Sequence, residues 1–144
     1  MDIRHILTRL SSPRDNDAAF DESRTALSQH PAFQSWNVHR AALRPELAGL
    51  LQRNVEARAL LNSGKDDQES RDKCQHRIVV ANQTVEATLN TVRSSRREWK
   101  ACQAYKNCQE LAADVAGGPE QLRQFIYDDT DALLERAQAE LSKE

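Results

Sequence analysis

The sequence predicts an all-α protein. The expected architecture is an elongated antiparallel helical hairpin or three-helix, coiled-coil-like bundle, with a long central helix and a short N-terminal helical extension. Three observations lead there. Only 4 Gly and 4 Pro in 144 residues leave few turns, which argues against a many-stranded sandwich or barrel. Aromatics make up 5 % of the chain, too few for a broad aromatic core. Two long stretches also carry their apolar residues at spacings that alternate between four and three, the helical period. The length suits a single core rather than two ordinary ones.

The elements follow from the chain's breaks. Ile3, Ile6, Leu7 and Leu10 make one apolar stripe, so residues 2–12 read as a short amphipathic helix. Residues 11–16 read as a linker ending in good N-cap residues, and 17–29 as a weak helix whose only large apolar residues are Phe20 and Leu27. Together, residues 1–30 form the expected N-terminal extension and 31–144 the bundle. His30-Pro31 ends the weak helix, because the residue before proline avoids the α region, and Pro31 suits the first turn of the next. That third helix runs to Asn62-Ser63-Gly64, with Pro45 expected to kink or divide it. Residues 66–116 contain no Gly or Pro and read as one helix opened by Asp66, Asp67 and Glu69. Within it, Ser95-Arg96-Arg97-Glu98 matches a capping box and is the one candidate break. Gly117-Gly118-Pro119 is the clearest turn, and a fifth helix is expected from Pro119 to the end.

Folding the chain at Gly64 tests whether the two seams match, since facing positions of an antiparallel hairpin share a constant index sum. Leu50 with Ile78, Leu47 with Ala81, Leu43 with Val85, and Trp36 with Val92 fall in one register. A second fold at Gly117-Gly118 sets Leu111 against Phe125, Cys102 against Leu134 and Trp99 against Ala137. In this reading the outer helices tile the central one, and Phe33, Trp36, Trp99 and Leu141 gather where they meet. Leu51, Val55, Val79, Val80 and Leu89 lie beside the seam. They are surplus apolar surface, and with Ile3, Ile6, Leu7 and Leu10 they are the candidate partner-binding residues.

Arg93, Arg96, Arg97 and Lys100 crowd around Trp99 and are the candidate anion-binding residues. The bland alternative is neutralisation, with Glu140 opposite Arg96 and Glu135 near Lys100. Asp72, Cys74 and His76 are too few to close a zinc site, so no metal and no cofactor is expected. No phosphate-cradling glycine loop, Gly-x-Ser-x-Gly or evident Cys–His pairing points to an enzyme. His39 reads as a boundary histidine with a local hydrogen bond.

Twenty basic residues against 22 acidic ones, a net charge of −2, generate no long-range field for a polyanion. Three cysteines do not make a closed disulfide framework, and no apolar run approaches a membrane span. The expectation is a soluble cytoplasmic protein in a reducing compartment, acting as a non-enzymatic helical interaction subunit or adaptor. A protein partner or a second copy is expected, and nucleic acid is disfavoured. The alternatives are a small chaperone for an amphipathic client and a nucleic-acid binder acting through residues 93–100.

Overall fold

The computed structural model describes residues 13–64 and 67–142. Every regular element among them is helical: α1 (Pro13–Gln29), α2 (Pro31–Ser63), α3 (Gln68–Lys100), α4 (Gln103–Ala113), α5 (Gly118–Ile126) and α6 (Thr130–Leu141). The all-α helical bundle read from the sequence is present. The stripe at Ile3, Ile6, Leu7 and Leu10 lies outside the described residues, as does Asp66.

The boundaries follow local chemistry. α1 starts at Pro13, earlier than expected, because the fixed φ of proline suits a first turn. His30 separates α1 from α2, and its Nδ1 accepts the Ala32 backbone N–H at 3.1 Å, serving as a side-chain cap. Of the two outcomes expected at Pro45, division is absent: α2 runs unbroken through it. Proline removes one ladder hydrogen bond, a loss that a 33-residue helix packed along its length absorbs. Gly64, at φ 69°, ends it in the left-handed region. Asp67 then caps α3, accepting the Ser70 N–H on Oδ1 at 2.7 Å; that bond holds its carboxyl below the usual range.

The expected 66–116 helix is two helices. Ser95–Glu98 is helical, and the break falls at Ala101–Cys102 instead. Ala101 and Cys102 donate to Glu98 and Trp99 carbonyls, both at 3.2 Å, in tightened three-residue turns, after which Cys102 is extended (φ −76°, ψ 156°). The expected fifth helix also divides, at Tyr127–Asp129, where Tyr127 takes φ 44° and its N–H bonds the Arg123 carbonyl at 2.8 Å. The Gly117-Gly118 turn is as expected. Gly117 has φ 67°, and a Cβ on Gly118 would lie 2.1 Å from the Ala112 carbonyl oxygen, so the backbones approach closely only because the residue is glycine.

The described chain divides into two compact units, with boundaries after Gln34, Ser94 and Asp128 in place of the single one expected after residue 30. The first comprises residues 13–34 with Ser95–Asp128. In it α1 packs on α4, and α4 on α5, so residues 13–29 belong to a core instead of forming an extension. Phe20, Leu27, Phe33, Trp99, Cys108 and Ile126 are buried there. Phe33 meets Trp99 edge-on at 5.2 Å and stacks on Phe125 at 6.1 Å, while Tyr105 meets Trp99 edge-on at 5.0 Å.

The second unit comprises Ser35–Ser94 and the chain from Asp129 onward. Its core joins Leu43, Leu47 and Leu50 of α2, Val85 and Leu89 of α3, and Leu133 and Ala137 of α6, with Ala81, Leu134 and Leu141 packed against them. Of the residues paired by the index sum about Gly64, Leu43, Leu47, Leu50, Ala81 and Val85 share this cluster. The second register does not hold, because the break at 127–129 separates α6 from α5. Ala137 joins the core of this unit, whereas Trp99 belongs to the first. Of the four residues expected to gather, Phe33 and Trp99 lie in the first unit and Trp36 and Leu141 in the second.

Candidate functional site

Three turns of α2 lie between two grooves of the second unit. Leu43, Leu47 and Leu50 point into the core, and an open groove runs along each flank. One, of about 410 Å³, is shared with α6: Leu47 and Leu133 form its floor, Ala48, Leu51 and Ala132 its sides, and Arg44, Asp129 and Arg136 its polar rim. Leu51 is 38 % exposed, and Val55, four residues on along the same helix face, is 59 % exposed.

Asp129, in the break before α6, organises the rim. Arg40 donates to Oδ1 at 3.2 Å and Arg44 donates to Oδ2, so one carboxylate neutralises part of two guanidinium charges. Arg40 is itself held by Asn37 Oδ1 at 3.0 Å, and its guanidinium lies 3.9 Å from the Trp36 ring centroid. Trp36 in turn donates to Thr130 Oγ1 at 3.0 Å. Arg136 is exposed and has no ion pair among the described residues.

The other groove lies between α2 and α3. Gly49, Val80, Ala81 and Thr84 supply its small and apolar lining, and Glu46, Arg53, His76 and Arg77 its charged lining. Glu46 keeps one buried carboxylate oxygen without a hydrogen bond. Arg53 pairs with Glu56 at 3.1 Å, and that hydrogen bond lowers the Glu56 pKa.

The structure sorts the sequence candidates. Leu51 lines the α2–α6 groove and Val55 continues its strip. Val80, 46 % exposed, lines the α2–α3 groove, while Val79, one residue away and 40 % exposed, faces about 100° round α3. Leu89 is corrected: it is 1 % exposed and part of the core, because α6 covers it, a third helix that the two-helix seam omits.

The basic cluster is corrected in its partners. Arg96 donates to Asp128 Oδ2 at 2.9 Å and Lys100 reaches the same oxygen at 3.3 Å, so Asp128 offsets part of their charge. Glu140 accepts from Asn54 at 2.9 Å in the second unit. Arg93 donates to Gln138 at 3.3 Å, and Arg97 is exposed. Adjacent aspartates at the α5–α6 break therefore each hold a basic pair spaced four residues apart.

His39 Nδ1–H donates to the Ser35 carbonyl at 2.7 Å, the local bond expected of it. All three cysteines are free, and burial raises the Cys108 thiol pKa to about 11. Among the described residues no group of three or more His, Cys, Asp and Glu is placed to hold a metal ion, and no helix is long and apolar enough to cross a membrane.

Sequence reasoning missed Arg44, Asp129 and Arg136. One signal was present: Asp129-Thr130 is a helix-start signature, and reading it as one would have opened the fifth helix at that point. No protein-family model, curated protein or solved structure matches the chain.

Proposed function

We propose that the chain is a non-enzymatic helical interaction subunit or adaptor that works by presenting aliphatic helix faces to other proteins. The observation that carries this reading is the contrast along the second unit's hairpin. Leu43, Leu50 and Val85 are fully buried, yet Leu51, Val55, Val79 and Val80 remain 38–59 % exposed beside them. Covering such side chains yields about 25 cal/mol per Å² of apolar area, so a partner that does so gains several kcal/mol. Pairing of Arg96 and Lys100 with Asp128 weighs against the polyanion alternative, since those charges already have a counterion.

The test is purification of the untagged full chain from its source, followed by sizing. The expected result is a species larger than the 16.3 kDa monomer, containing a second copy or a stoichiometric partner. A compact monomer without a partner overturns the reading.

A further inference from the structure

Of the two grooves beside α2, the one shared with α6 has the more one-sided chemistry. Arg44, Ala48, Leu51, Val55 and Arg58 recur at i, i+4, i+7, i+11 and i+14, a single strip of the helix. Its middle is aliphatic, an arginine stands at each end, and it contains no acid. The Arg44 side chain is 62 % exposed, and Arg58 is exposed without an ion pair among the described residues. Across the groove stands Arg136. The one acid of the lining, Asp129, is already shared by Arg40 and Arg44. The groove thus has an aliphatic floor between polar walls and carries surplus positive charge at its rim.

We propose that this groove docks an amphipathic α-helix of a partner protein, with acidic residues flanking an aliphatic stripe. The proposal rests on the interaction-subunit reading and adds the chemistry of the partner. From Arg44 to Arg58 the strip spans roughly 21 Å, about four helical turns, and the partner's acids stand that far apart. A helix fits because the groove runs between two helices, and Ala48 and Ala132 leave room for a third axis at about 8–10 Å. The chain's own stripe at Ile3, Ile6, Leu7 and Leu10 carries Arg4 and Arg9 against the one acid Asp2, a net basic segment of the wrong sign for this rim. At the α2–α3 groove Glu46, and Glu56 on Arg53, offset Arg53 and Arg77, so it selects neither sign.

Two fluorescein-labelled peptides of about five turns test this on the full chain, by anisotropy. Both carry leucines at i, i+4, i+7 and i+11; one has glutamates at its ends and the other lysines. The glutamate peptide is expected to bind, more weakly as salt rises, and the lysine peptide at least about tenfold less well. Leu51→Gln and Arg136→Glu are each expected to weaken the glutamate peptide at least about tenfold, while Gln83→Ala, at an exposed position of α3, is expected to have no effect. Arg136 is exposed, so its variant keeps the test valid if Leu51→Gln unfolds; circular dichroism melts establish which variants are folded. Equal binding of both peptides, binding of neither, or loss on Gln83→Ala alone overturns the proposal. So does binding that appears only after deletion of residues 1–12, or only on dilution of a dimer, since the occupant is then this chain itself. If a natural complex survives both Leu51→Gln and Arg136→Glu, this groove assignment fails while the interaction-subunit reading stands.

Discussion

Trp36 donates its indole N–H to the hydroxyl of Thr130 at 3.0 Å, across 94 residues of sequence, with both side chains fully buried. The bond ties α2 to the first residue of α6. Thr130→Val keeps the shape but removes this acceptor, and is expected to destabilise the fold by about 1–3 kcal/mol. Trp36→Phe on the Thr130→Val background is expected to cost less than on the wild type. Urea unfolding of the four-member cycle measures that coupling, and strict additivity would show that the bond contributes nothing.

Two glycines make opposite predictions. Gly49 lies inside α2 with nothing within 4 Å of where a Cβ would stand, so Gly49→Ala is expected to stabilise by about 0.5–1 kcal/mol. At Gly118 a Cβ would meet the Ala112 backbone, and Gly118→Ala is expected to destabilise by about 1–3 kcal/mol. Thermal melts separate them readily, at about 2–4 °C per kcal/mol for a chain of this size.

Asp129→Asn leaves two arginines sharing a neutral amide. Arg40 and Asp129 are each only about a fifth exposed, so the expected loss is about 1–3 kcal/mol. Arg44→Ala removes the more exposed partner and is expected to lose under about 1 kcal/mol. Chemical denaturation in low and high salt checks both; a larger effect for Arg44→Ala would misplace the anchor.

Cys108 is expected to resist thiol reagents that modify the half-buried Cys74 and Cys102, and to react only on unfolding. Because burial raises its pKa, the unfolded chain ionises first, so this group's contribution to stability is present below the ordinary thiol range. It is lost as pH rises toward about 11. Burial also raises Tyr105, with the same sign. The Cys108 share is therefore the difference in alkaline slope between wild type and Cys108→Ala, followed by urea midpoints. Equal slopes would contradict the assignment.

The hairpin was legible because its signals are local and periodic. Gly64 supplies a left-handed turn, and the spacing of Leu43, Leu47 and Leu50 matches that of Ala81 and Val85. The helix breaks were less so. Ala101–Cys102 and Tyr127–Asp129 contain neither Gly nor Pro, and the ion pairs around the second break join residues 32 and 85 positions apart. Periodicity carries no information about such pairings. Missing that break sent α6 to the wrong place, and with it Leu89, whose burial depends on Leu133 and Ala137 arriving beside it. The exposed strip at Leu51 and Val55 was readable as surplus, but its arginine rim was not, because Arg136 reaches the groove only once α6 starts at Thr130.

The division into two units has a practical corollary for anyone dissecting the molecule. Each unit draws on two separate stretches, and both α2 and α3 pass from one to the other without a break. No single cut in the gene yields either unit by itself, and any cut between residues 35 and 128 divides both. Joining two pre-existing modules end to end would not produce this threading. The chain has to be inherited, expressed and folded as an indivisible piece.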